Sequence, residues 1–358
     1  MAGIRPLTRA DLPAVVALRK KVWPASIHGC DEARAAYLGR VFLDNPWRDE
    51  DIVPLVAEDD HGILVGFHGA IPRPARFGSR RIRVAVGESF VVDPKHRGLV
   101  GIQLLRRFLD GPQDLSIADR ATPGVARLWR HHGGHELELQ RLDWIRPFYP
   151  LRVAARRVAG EGSSLWGVRA ASPFLGVLDT WVTGGASELR VLEPEGHAEP
   201  VDLDAYASAL RGLESRRTLM PEGDAEGLKW LSGFWSDRRE FGPWETIVVR
   251  SASHEVTGAF LWMLRGRVAE LVHLVARPDA RGTVLEHFLT RARAAGARVC
   301  QGRVDAHLVD LIQPPAYFLD QLTDKHVVVH SDDARLIEAI RDGSSQLGRL
   351  DGAWFTRF

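Results

Sequence analysis

A carboxylate set into an apolar strand, and a glycine-arginine turn nine residues after it, are the features of this sequence with the most chemical content. In Val84 to Val92 the alternate positions Val84, Val86, Phe90 and Val92 form an apolar strand face that Glu88 interrupts. Burial on such a face raises a carboxyl pKa toward the range useful for accepting a proton near neutrality. The turn Arg97-Gly98-Leu99-Val100-Gly101 follows that strand and opens a helix. There backbone N–H groups and the positive end of the helix dipole converge on an anion, and pyrophosphate is the natural guest. Glycine lets the backbone approach the phosphates, and Arg97 adds a fixed charge. Other polar groups are weaker signals. His131 and His132 near a helix end read as capping or solvated groups, and Arg73, Arg76, Arg80, Arg81 and Arg83 form one hairpin that could steer an anionic acceptor but reads first as a solvated surface.

The elements that must position these residues follow from periodicity. Ile4 to Leu7 reads as a strand, Thr8 and Asp11 cap a helix with apolar Leu12, Val15, Val16 and Leu18, and a second helix runs from about Glu32 to Phe42. Val53 to Ala57 opens a meander of three antiparallel strands separated by turns at 59–62 and Gly78-Ser79. A helix from Gly98, a strand Leu115 to Ala118, a helix Pro123 to Trp129 and a strand Leu137 to Trp144 complete the order β-α-α-β-β-β-α-β-α-β. Pro94, Arg97, Gly98 and Val100 recur 184 residues later as Pro278, Arg281, Gly282 and Val284, each set behind a similar three-strand meander. The sequence therefore predicts two related halves, residues 1–150 and 188–358, joined by a connector at 151–187 with a helix from Phe174 to Trp181.

Size and composition agree. At 358 residues the chain exceeds the ~250–300 at which single cores stop growing, so two domains are expected. Apolar residues at 45% and charged residues at 26% exclude collagen, coiled coil and wholesale disorder, and a net charge of +1 gives no overall field favouring DNA or anionic lipid. Cys30 and Cys300 stand far apart, with no second Cys near either to form a zinc pair or a disulfide framework, which fits a reducing cytosol. No signal peptide is apparent, and no apolar run approaches the ~20 residues needed to span a bilayer. The expectation is a cytoplasmic protein with no metal, no DNA partner and no membrane partner.

The stretch Val91-Val92-Asp93-Pro94-Lys95-His96-Arg97-Gly98, with Leu104-Leu105 behind it, resembles the acyl-CoA loop of the GNAT superfamily of N-acyltransferases. Nearly the whole chain is similar to tandem-GNAT proteins and, more distantly, to Fem-type aminoacyl transferases. The resemblance implies an α+β fold of two GNAT-like domains, each a mixed, mostly antiparallel sheet flanked by helices. It implies acetyl-CoA or another acyl-CoA as co-substrate and an amine of a small molecule or sugar as acceptor. The family pattern Arg/Gln-x-x-Gly-x-Gly/Ala is altered, because Val100 and Ile102 stand where glycines are usual, with Gly98 and Gly101 beside them. By the resemblance, Arg97, Gly98, Leu99, Val100, Gly101 and Ile102 hold pyrophosphate, Val91 or Val92 offers a backbone N–H to the thioester carbonyl, and Glu88 is the base. Where the family often has a Tyr as acid, this chain has Trp129, whose indole cannot serve. His131, His132, Tyr149, Tyr317 or water stay open for that role. In the second half Glu286, expected in the first turn of its helix, opposes pyrophosphate, and Val272 replaces Glu88, with Glu270 and His273 near it. That half is expected to be degenerate. Two further readings remain: Fem-like aminoacyl transfer from charged tRNA, with tRNA or a carrier protein as partner, and a non-catalytic acyl-CoA or partner-binding module.

Overall fold

The computed structural model describes residues 3–24, 30–148, 193–214, 218–238, 241–321 and 325–356. The expected connector at 151–187 and Tyr149 lie outside them. In chain order the described elements begin with β1 (Gly3–Pro6), α1 (Leu12–Val22), α2 (Asp31–Phe42), β2 (Leu55–Glu58), β3 (Leu64–Phe77) and β4 (Arg80–Val92). Next come α3 (Leu99–Leu109), β5 (Leu115–Ala121), α4 (Pro123–His131), β6 (His135–Glu136), β7 (Leu142–Pro147) and β8 (His197–Val201). Then follow α5 (Leu203–Glu214), β9 (Leu219–Pro221), α6 (Ala225–Ser236), β10 (Trp244–Arg250), β11 (Val256–Arg265) and β12 (Val268–Ala276). The last are α7 (Arg281–Ala294), β13 (Val299–Arg303), β14 (Phe318–Gln321), β15 (His326–His330) and α8 (Ala334–Arg341). No described helix is long and apolar enough to cross a membrane.

Two compact units result, and neither is a contiguous half. The first comprises Met1–Arg141, Arg216–Trp235 and Leu322–Phe358, and the second Leu142–Ser215 and Ser236–Gln321. The first sheet runs β1-β2-β3-β4-β5-β15-β6, with β9 also on β3, and the second runs β14-β7-β13-β12-β11-β10-β8. Both are antiparallel except at one pair each, β4 with β5 and β12 with β13. Each unit therefore repeats an antiparallel meander, a helix (α3 or α7) and a parallel strand, the α+β order expected. Both meanders turn on a two-residue loop opened by a glycine at φ +61°, Gly78 and Gly266, a conformation costly for any side chain with a Cβ.

The boundaries at 150 and 188 give way because strands are exchanged. The segment expected as one strand, Leu137 to Trp144, is split. A bridge at β6 stays in the first sheet, a 3₁₀ turn intervenes at Leu139–Arg141, and β7 joins β13 of the second sheet. The first sheet in turn takes β15 from the carboxyl-terminal segment onto β5. A free sheet edge exposes unpaired N–H and C=O groups, and these two strands cover β5 and β13.

In the first unit α1 and α2 cover one sheet face, with Val15, Val16, Leu38 and Val41 packed on Phe67, Ile71, Val86 and Val91. On the other face α3 and α4 place Leu104, Leu105, Phe108 and Trp129 against Ala57, Ala70, Ala85 and Val328. A third cluster joins Leu336, Ile337 and Ile340 of α8 to Leu115 and Ile117 of β5.

Candidate active site

Strand β4 is broken where the sequence gives no warning. Gly69 faces Glu88 and Phe67 faces Val91, so Ser89 and Phe90 together oppose His68. This is a bulge of two residues against one. Ser89 takes it up at φ +57°, a left-handed conformation unusual for a residue other than glycine. The extra residue reverses the side-chain alternation beyond it. Val86 and Val91 pack on the α1/α2 side. Phe90 packs with the α3/α4 cluster, and both Phe90 and Val92 lie 3.7 Å from where a Cβ on Gly101 of α3 would stand. The expected single face of Val84, Val86, Glu88, Phe90 and Val92 is thus corrected: Glu88 is separated from Phe90 and Val92 by the bulge.

The parallel pairing of β4 with β5 covers only Val84–Val86 against Leu115–Ile117, although β5 continues to Ala121 and β4 to Val92. Past Val86 the two strands part. Asp93 N–H bonds to Val65 O on β3 at 2.8 Å, so by strand alternation the Val92 N–H points to the opposite edge, toward the parted side. Val91, the other expected donor, is directed back at β3.

Glu88 is half-buried, but its carboxylate is not solvated. Oε2 is sealed from solvent with no hydrogen-bond partner, and Oε1 accepts from Ser89 Oγ at 3.2 Å. Burial pushes the carboxyl up to about 7, against the opposing charge of Arg19 and with help from Asp119. Arg19 comes from α1, where it falls four residues after Val15 on the buried face, and it donates to Ser89 Oγ. Burial lowers its pKa, while Glu88 and Tyr37 of α2 act to raise it. His68, opposite the bulge, is buried. Its Nδ1–H donates to Gly69 O at 3.0 Å and its ring stacks on Phe108 at 4.1 Å. Desolvation pulls its pKa to about 4, so it is a neutral wedge holding the bulge open. Arg19, Tyr37, His68 and Ser89 were not anticipated. Only Arg19 left a trace in the sequence, as a charge on the apolar face of its helix.

After the bulge the chain turns through a 3₁₀ segment, Pro94–His96, capped by Asp93, which accepts from Lys95 N–H at 3.0 Å and from Lys21 Nζ at 2.5 Å. Gly98 at φ +103° then caps α3. Leu99 is 64% exposed, and among the described residues the exposed Arg97 side chain has no ion pair. The N–H groups of Leu99, Val100 and Gly101 belong to the open first turn. Ile102 does not contribute its amide as expected, because that N–H bonds to Gly98 O at 3.0 Å.

The second unit repeats the scaffold with different groups at the matching positions. A register shift between Leu261 and Trp262 leaves Val272 as the extra residue on β12, so the position matching Glu88 again sits at a bulge. Helix α7 starts at Arg281, which puts Glu286 in the second turn and not the first. What occupies this helix start is Arg281 itself. Its guanidinium donates to Pro278 O at 3.1 Å, to His307 O and to Asp310 at 3.0 Å. Glu270 is buried against Arg265 at 2.8 Å and Gln301 at 3.3 Å, and His273 Nδ1 meets Tyr206 OH at 2.9 Å. Tyr317 is buried, which raises its pKa, with Arg146 over its ring at 5.1 Å. In the first unit Trp129 is fully buried in the core, and His131 and His132 close the end of α4, His132 as the C-cap.

No protein-family model and no curated protein matches this chain. Solved structures do. A probable N-acyltransferase from Enterococcus faecalis superposes with TM-score 0.60 at 11% identity, over 92% of this chain and 73% of that one. A GCN5-related N-acetyltransferase from Anabaena variabilis gives TM-score 0.60 at 12% identity, over 93% and 74%. Another from Kribbella flavida gives 0.57 at 14%, over 93% and 73%. At such identities the likeness defines the fold: this chain carries the GCN5-related N-acetyltransferase fold in two units.

Proposed function

We propose that the protein is an acyl-CoA-dependent N-acyltransferase whose donor and base both belong to the first unit, moving an acetyl or other acyl group to an amine of a small molecule or sugar. The observation that carries this reading is the Glu88 carboxylate, one oxygen sealed from solvent without a hydrogen-bond partner, at a bulge where β4 leaves β5 and shortly before the open start of α3. Acyl-CoA supplies the activated acyl group when bound. The amides of Leu99, Val100 and Gly101, with Arg97, suit its pyrophosphate, and Gly98 supplies the backbone conformation that aims them. The Val92 N–H, turned to the parted edge, is the donor placed to polarise a thioester carbonyl. Glu88, ionised above about pH 7, accepts the proton an ammonium acceptor must lose, directly or through one water. The closure of Arg281 by Asp310 supports a scaffolding role for the second unit.

A thermal-shift panel of acetyl-CoA, longer acyl-CoAs, free CoA and bulk tRNA tests the donor class. A ligand at 100 times its dissociation constant stabilises by ~2.7 kcal/mol. Stabilisation by an acyl-CoA and not by tRNA is expected, followed by acyl-CoA-dependent loss of free amine across an amine panel. Stabilisation by tRNA alone overturns the reading in favour of aminoacyl transfer. Acyl-CoA binding with no turnover of any amine leaves a binding module.

A further inference from the structure

The arginine hairpin of β3 and β4 exposes Arg76, Arg80 and Arg81 to solvent and is laced with surface ion pairs. Arg80 pairs with Asp333 and Asp114, Arg81 with Glu222, and Arg83 with Asp49 and Asp51. Arg73 differs. It is only 8% exposed and has no carboxylate within ion-pair distance among the described residues. Asp351, Asp224 and Asp119 attract it from farther off. Of its five donors, one bonds to Leu350 O at 3.3 Å, and its Nε is sealed without a partner. Its guanidinium lies 3.9 Å from the centre of the Trp47 ring. That ring is itself fixed by Nε1–H donation to Asp224 at 2.7 Å and by an edge contact with Trp230.

Arg73 and Trp47 line a cavity of about 440 Å³, a size common for small-molecule sites. Arg48, Arg81 and Arg83 also line it, against the single carboxylate of Asp49, which Arg83 already holds. Arg48 is exposed and unpaired among the described residues, so Arg48 and Arg73 are the charges left for a guest. Pro46, Ile52, Ile82 and Val84 give the rest of the wall an apolar character. Burying a guanidinium with no carboxylate at ion-pair distance is costly, a bound counter-charge offsets that cost, and planar oxyanions match its fork.

We propose that this cavity is a binding site for a small organic anion, a carboxylate or phosphate monoester on an apolar body, with Arg73 and Arg48 meeting the oxyanion and Trp47 bounding the body. The site is separate from the α3 turn and does not depend on the transferase reading. Titration calorimetry of the full chain with benzoate, phenyl phosphate, inorganic phosphate and neutral benzamide tests it, each repeated at saturating CoA. Benzoate or phenyl phosphate should bind one to one, the relative affinities reporting which oxyanion is preferred, while benzamide should not bind and CoA should not compete. Arg73→Met and Arg48→Glu should each weaken binding about tenfold or more, the loss of a charge-assisted contact, whereas Arg97→Glu should not. If Arg73→Met fails to fold, Arg48→Glu at its exposed position decides alone. Binding of none of the anions, binding unchanged in the arginine variants, or displacement by CoA overturns the proposal.

Discussion

A carboxyl held near pH 7 by its surroundings gives Glu88 two measurable signatures. The rate with an identified amine should rise with pH through a limb near 7, and Glu88→Gln should remove that limb while cutting turnover by ~10²–10⁴ with acyl-CoA affinity unchanged. Stability should move the other way. Because the folded pKa lies above the ordinary 4.5, the unfolded chain releases this proton first as pH rises. The folded state is then progressively disfavoured from about pH 4.5 until Glu88 itself ionises near 7. Glu88→Gln should therefore gain in melting temperature relative to the parent across that window and hold the gain above it. The ceiling is about 3 kcal/mol, reduced by whatever solvent reaches the half-buried side chain. Arg19→Met removes the opposing charge and should shift the limb toward higher pH. A limb that stays at the same pH in that variant separates Arg19 from the titration. Glu88 stood out in the sequence as a candidate because a polar residue follows the apolar Val84 and Val86 on one strand face. Its partners did not, because nothing in the letter Ser at position 89 announces a left-handed backbone.

At the level of elements, the two helix starts make opposite predictions. Arg97→Glu should weaken CoA binding strongly and leave the melting temperature alone, since the side chain is exposed and unpaired. Arg281→Glu should spare CoA binding and lower stability, since it breaks the ties to Asp310 and two carbonyls and sets like charges together. Calorimetry and melting curves on both variants check this, and a larger CoA loss at Arg281 moves the donor to the second unit. Gly98→Ala meets no steric obstacle, but at φ +103° it should cost of order 1–3 kcal/mol or reshape the turn. The strand-turn-helix order around both loops was legible from periodicity and glycine placement, as was the duplication. The face on which Phe90 and Val92 lie was not, because one inserted residue reverses the alternation without altering composition. Nor was the start of α7: Arg281-Gly282 reads like Arg97-Gly98, yet Asp310, distant in sequence, captures the arginine.

For the molecule as a whole, the exchanged strands decide what can be cut. Deleting residues 322–358 should unfold the first unit although every residue of the proposed donor site remains, because β15 and α8 take with them the cover of β5 and the contacts of Leu336, Ile337 and Ile340. Loss of the cooperative melt and of acyl-CoA binding is expected. A truncated chain that still binds acyl-CoA shows the edge to be dispensable. The duplicated strand order was legible in the sequence but the exchange was not, since a strand's pattern records that one face is buried and not which sheet buries it. The exchange also bears on synthesis. Ala121 of β5 pairs with His326 of β15, 205 positions farther along, so a ribosome releasing 5–20 residues per second presents the first strand on the order of 10–40 s before its neighbour exists. During that interval the nascent amino-terminal half carries a bare edge strand with Leu115 and Ile117 on it, and in the cell its correct closure depends on whatever holds that edge apart from other chains until the carboxyl terminus emerges.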